Sequence, residues 1–152
     1  PVFFAEERRL LFLTSYSARA RGRGGIVAAD YFAEPRPDRT WNLWLDEQLA
    51  LDDEHLGEFV EGMAPAPQGQ RPILRPFQRS QALLLWSGLR QCRFLYWRET
   101  PAPAGWGGEW SLLERPKMPA AISVEIAADE TRWKGLAPVS LYVRLQTGGV
   151  SR

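Results

Sequence analysis

The alternation of apolar and polar residues is the first readable signal in the chain. Arg9-Leu10-Leu11-Phe12-Leu13-Thr14-Ser15-Tyr16 is a short apolar run rich in β-forming residues, which predicts a buried strand. Ile26-Val27-Ala28-Ala29-Asp30-Tyr31-Phe32 predicts a second, joined to the first through the turn Ala18–Gly25 as a hairpin with a longer loop. Glu34-Pro35-Arg36-Pro37-Asp38 then breaks the pattern, because proline cannot donate to a ladder. Thr40–Leu45 predicts a third strand. Further on, Leu83-Leu84-Leu85-Trp86 leads through Ser87-Gly88 into a long strand with Cys92, Phe94 and Tyr96 on one face and Arg93, Leu95 and Trp97 on the other. Trp110 opens a short apolar stretch. Ile122, Val124 and Ile126, and then Val139, Leu141, Val143 and Leu145, alternate with polar residues at period two. That period predicts one buried and one wet face, the habit of antiparallel sheet.

One segment reads differently. Leu56, Phe59, Val60 and Met63 fall at i, i+3, i+4 and i+7, with Glu54, Glu58 and Glu61 opposite. This spacing predicts a short amphipathic helix near 53–62, capped by Asp52 or Asp53 and stopped by Gly62. Ala64–Pro72 is expected to be a polar, proline-rich loop. The expected fold is therefore α+β: a β-rich domain of six to eight mostly antiparallel strands with one short helix, spanning residues 1–152 as a single unit.

Composition narrows the chemistry. With 152 residues, 45% of them hydrophobic and 24% charged, the chain can bury a core without staples. A net charge of +1 gives no global field for nucleic acid or an anionic membrane. A single cysteine, Cys92, excludes an internal disulfide, and a single histidine, His55, excludes mechanisms that need two. No run of about 18 apolar residues is present to span a bilayer. The sequence opens at Pro1-Val2-Phe3-Phe4 without an initiator Met, so the expectation is a trimmed or mature chain.

No group of residues spells an active site. His55 has no nucleophile or orienting group in a recognisable motif, and Ser87 lacks the G-x-S-x-G elbow. Asp52, Asp53 and Glu54 are consecutive and, on a helix, cannot converge on one ion; a loop calcium site at Asp46 or Glu47 has no supporting motif. Arg21-Gly22-Arg23-Gly24-Gly25 is a single RGG-like copy between two strands and reads as a solvated turn. Trp97, Trp106, Trp110 and Trp133 lie near loops, where they could line a stacking platform or simply fill core. No catalytic, cofactor-binding or metal-binding residue is expected. Charge, in contrast, is segregated. Asp46–Glu61 carries seven acids and no Lys or Arg, and Arg71–Arg98 carries six arginines and no acid. Either the blocks neutralise one another, or they form two faces suited to an interaction protein.

The order of segments is similar to a known family. Phe3-Phe4 leads into Arg9–Ser15. Gly24–Phe32, Leu83–Leu89, Cys92–Trp97, Trp106, Trp110 and Met118-Pro119-Ala120-Ala121-Ile122-Ser123-Val124-Glu125-Ile126 follow in turn. Together they resemble the globular part of minor pseudopilin J of the type II secretion system, without most of its N-terminal pilin helix. The resemblance implies a non-enzymatic subunit at the tip of a periplasmic pseudopilus, supporting export of folded proteins across the outer membrane. It implies minor pseudopilins I and K as partners, no cofactor, no nucleic acid, and anchoring in the inner membrane only through the missing helix. A minor pilin of a type IV pilus or competence system, and a β-rich ligand-binding module using loop tryptophans, are the other readings.

Overall fold

The computed structural model describes residues 3–19, 21–49, 59–66, 69–99, 104–111, 118–129 and 137–144. Eleven strands lie within them: β1 (Phe3–Glu6), β2 (Arg9–Ser17), β3 (Gly22–Pro35), β4 (Trp41–Leu49), β5 (Val60–Ala66), β6 (Gly69–Leu74), β7 (Leu83–Arg98), β8 (Gly105–Gly107), β9 (Trp110–Ser111), β10 (Ala121–Ala128) and β11 (Val139–Arg144). Nine form one curled sheet in the order β11-β10-β7-β4-β3-β2-β1-β9, with β8 paired to β7; β5 and β6 form a separate hairpin. Every pairing is antiparallel.

The fold is all-β, which corrects the α+β expectation. The helix predicted near 53–62 fails in its described part, since Phe59 lies in a turn and Val60–Gly62 belong to β5. Its remaining positions, with Asp52, Asp53, Glu54 and His55, lie outside the described residues. Phe59 is buried while Met63 is exposed, so the two do not share the apolar face that a helix would have given them. The proline-rich stretch is likewise a hairpin, with Pro65 opposite Gln70 and Pro72 opposite Met63. Both strands of an isolated pair have a free edge, where the missing proline N–H costs little.

The β2–β3 hairpin continues past the expected glycine turn. Arg21 takes φ 50° in the turn. Gly25, at φ 94°, sits where the register shifts between Thr14 and Tyr16. Glycine adopts this positive φ at the irregularity without the Cβ strain that other residues would meet.

The main core lies on the inner face of the curl. It gathers Phe3, Ala5, Leu10, Ala33, Leu43, Leu89, Cys92, Phe94, Tyr96, Trp110 and Ile122. The β1–β2 turn crosses onto β7 and is stitched there by main-chain contacts. The Phe94 N–H donates to the Glu7 carbonyl at 2.8 Å, the Tyr96 hydroxyl to the Glu6 carbonyl at 3.1 Å, and the Arg8 guanidinium to the Cys92 carbonyl. Gly105–Ser111 links the same two sides, because β8 pairs with β7 and β9 with β1. On the outer face, Leu11, Ala28 and Phe59 form a second cluster with Phe4, Leu13 and Leu74.

The period-two reading of the last strand also needs correction. Val139, Leu141 and Val143 stand opposite Ile126, Val124 and Ile122, so they prolong the inner apolar row, yet all three are exposed. Among the described residues β11 is the edge of the sheet, and none of them forms a layer over it. Leu145 lies outside the described residues.

Candidate functional site

A concavity lies on the outer face, where the chain from Arg75 to Gln81 crosses β3 and β4. Its volume is about 490 Å³, and its walls include Arg9, Asp30, Asp46, Gln48, Phe59 and Phe77. Two contacts pin the crossing segment. Phe77 stacks on Phe32 at 5.0 Å between ring centroids, and Arg79 pairs with Glu34 at 2.8 Å. A main-chain bond from Arg75 N–H to the Phe59 carbonyl, 2.9 Å, fixes the end nearest the β5–β6 hairpin.

At the floor, Asp30 on β3 stands directly opposite Asp46 on β4. Directly opposed residues of an antiparallel pair project to the same face, so two carboxylates meet there. Both are buried. Arg9, from β2, relieves one of them: its Nε donates to Asp30 at 3.0 and 3.2 Å and its Nη2 at 2.7 Å. Arg9 Nη1 goes instead to the Arg75 carbonyl at 2.6 Å. Burial pushes the Asp30 carboxyl above its usual range; Arg9 opposes the shift and the charge of Asp46 adds to it. Asp46 Oδ2 accepts from the Gln48 amide at 2.8 Å, while its buried Oδ1 has no hydrogen-bond partner among the described residues.

Glu47, next along β4, projects to the other face by the alternation of a strand. There it accepts from the Ser17 hydroxyl and the Ala18 and Arg19 N–H groups at 2.8–3.0 Å, holding the β2–β3 turn. Asp46 and Glu47 therefore cannot share one ion, and no group of three metal-ligating side chains occurs among the described residues.

The other sequence candidates are dispersed. Ser87, on β7, accepts from Arg36 at 2.7 Å. A hydroxyl receiving a permanently charged donor is not being activated by a base. Trp110 is core. Trp97 and Trp106 meet edge to face at 5.3 Å, and Trp106 meets Tyr142 at 5.7 Å, an aromatic cluster with Trp106 half-exposed. Trp133 lies outside the described residues. Two arginines of the basic block pair outside the acidic one: Arg79 with Glu34, and Arg93 with Glu125 at 2.6 Å.

Sequence reasoning missed the Asp30–Asp46 pair. One signal was there: Asp30 is a lone acid within an apolar strand, and such a residue needs a buried partner.

Set against protein-family models, curated proteins and solved structures, the chain finds no match. The case for function rests on its own residues.

Proposed function

We propose that this chain is the globular part of a non-enzymatic tip subunit of a type II secretion pseudopilus, similar to minor pseudopilin J. It would work in the periplasm beside minor pseudopilins I and K, held in the inner membrane before assembly by a helix upstream of Pro1. The observation that carries the reading is the unfinished edge of the curled sheet. β11 is exposed along its whole length and presents Val139, Leu141 and Val143 as a continuation of the inner core, with Tyr142 on its other face. Contiguous exposed apolar surface and an open strand edge are features that partner subunits cover. The order of segments from Phe3 to Ile126, which resembles that family, supports the choice of family.

The test is capture of this domain on purified globular domains of minor pseudopilins I and K from the same source, with light scattering for stoichiometry. A stable ternary complex, weakened by Leu141→Lys, is the expected result. A folded domain that binds neither partner would overturn the proposal.

A second reading has its own observation, the Trp97–Trp106–Tyr142 cluster, which could stack a sugar or a base. It requires tryptophan fluorescence to shift on adding oligosaccharides, with the shift lost in Trp106→Ala.

A further inference from the structure

We infer that the cleft over Asp46 binds an organic cation, a guanidinium or primary ammonium group, with Asp46 as its anionic acceptor. This stands whether or not the tip reading holds, because it uses a different face of the molecule.

The argument begins with which acid still needs a cation. Two carboxylates stand at the floor of the cleft, and Glu47 borders it from β4 with its own carboxylate turned to the other face. Asp30 is matched by Arg9 through three contacts of 2.7–3.2 Å. Glu47 is satisfied by the turn at Ser17–Arg19. Asp46 is 4% exposed, and its one donor, the Gln48 amide, is neutral. The remaining oxygen, Oδ1, has no partner among the described residues. A buried carboxylate in that condition carries a desolvation cost that a positive donor at the cleft would offset. Arg9 does not supply it in this structure: Nε and Nη2 donate to Asp30, Nη1 donates to the Arg75 carbonyl, and none of the three donates to Asp46.

The walls select the kind of cation. A volume of about 490 Å³ falls within the range of small-ligand sites. Phe59 and Phe77 offer aromatic surface, which suits a planar guanidinium or an alkylammonium stem. Gln78 and Gln81 add amide carbonyls able to accept remaining N–H groups. A divalent metal fits poorly, because calcium wants six to eight oxygens and the Arg9 charge already sits on the neighbouring carboxylate. Arg75 also lines the cleft, and on this proposal its guanidinium would compete with the ligand for Asp46.

The experiment is calorimetric titration of the full chain with ethylguanidinium, ethylammonium and the blocked peptide acetyl-Ala-Arg-Ala-amide. Saturable binding in the roughly millimolar range is expected for at least one probe. Asp46→Asn should weaken it at least about tenfold, Arg75→Ala should strengthen it, and Glu99→Gln, exposed just after β7, should leave it unchanged. A peptide that binds about tenfold tighter than ethylguanidinium assigns the cation to a basic side chain of a protein partner. Comparable affinities assign it to a free small cation. The proposal falls if natively folded chain shows no saturable binding up to about 50 mM, or if Asp46→Asn binds as wild type. It falls equally if calcium binds in preference and displaces the organic probes. Should Asp46→Asn fail to fold, the wild-type titration and Arg75→Ala still decide the matter.

Discussion

Replacing Arg9 by Met tests the electrostatics of the β2–β3–β4 floor most directly. Methionine keeps much of the aliphatic bulk but removes every donor to Asp30 and the bond to the Arg75 carbonyl. The side chains of Arg9 and Asp30 are only 11% and 5% exposed, so little solvent screens the loss. Removing one member of a buried pair costs about 3–5 kcal/mol, because the other charge is left bare. With an m-value near 2 kcal/mol/M, the urea midpoint should fall by roughly 1.5–2.5 M, read from tryptophan fluorescence. The pH dependence gives an independent check. Burial already raises the Asp30 carboxyl above its ordinary value, with Arg9 pulling it back. A raised acid binds its proton more tightly in the native state, so the cost of its charge is present above the folded pKa and is relieved as pH falls through it. Without Arg9 the shift grows, and the deficit of Arg9→Met should shrink steadily on acidification. Arg9→Met/Asp30→Asn should recover part of the loss at neutral pH. A cost below about 1 kcal/mol at neutral pH, or one of equal size at about pH 5 and about pH 8, would refute the reasoning.

Three further outcomes follow from the same geometry. Tyr96→Phe deletes the bond to the Glu6 carbonyl while keeping the ring that meets Phe3 edge to face; it should cost about 1–2 kcal/mol in urea unfolding. Glu47→Gln should destabilise by roughly 1 kcal/mol at neutral pH. Burial alone would raise this carboxyl, but the donors at Arg19, Ala18 and Ser17 outweigh it and hold it below its usual value. A depressed acid stabilises above its unfolded pKa and loses that contribution as pH falls through the folded one, so the Gln variant and wild type should converge in acid. Finally, burial pushes the Cys92 thiol up to about 11, against a lowering by Arg8. It should resist a thiol-specific disulfide reagent in the native state at mildly alkaline pH and react at once in denaturant.

What could be read in advance follows a physical line. The period-two pattern of β7 was legible because one of its sides lies against the core: Cys92, Phe94 and Tyr96 alternate in sequence and lie together on the inner face. The stretch from Leu56 to Met63 misled because four apolar residues satisfy a helical spacing by number alone. Phe59 instead packs on Leu11 and Ala28 as the chain enters a hairpin. The Ala64–Pro72 prolines read as loop because nothing local reveals that both strands have a free edge. The exposure of β11 is a property of where the sheet ends, which no window of sequence contains. The floor of the cleft was hidden for the same reason, since Asp30 and Asp46 become neighbours only through the β3–β4 register.

The stitch between the β1–β2 turn and β7 has a consequence for how the chain reaches its native state. Its bonds join residues 84 and 90 positions apart in the chain, so the inner face cannot be sealed until Cys92 and Tyr96 have been made. The hairpins from β1 to β4 are local and can form as they leave the ribosome, but Phe3, Leu10 and Leu43 have no opposite wall before Leu89–Tyr96 arrive. At a synthesis rate of about 5–20 residues per second, that interval lasts several seconds, during which the nascent sheet is an exposed apolar surface. Contacts this distant also slow refolding relative to helical chains of the same length. The interval before β7 emerges is when a chaperone would have the most to hold.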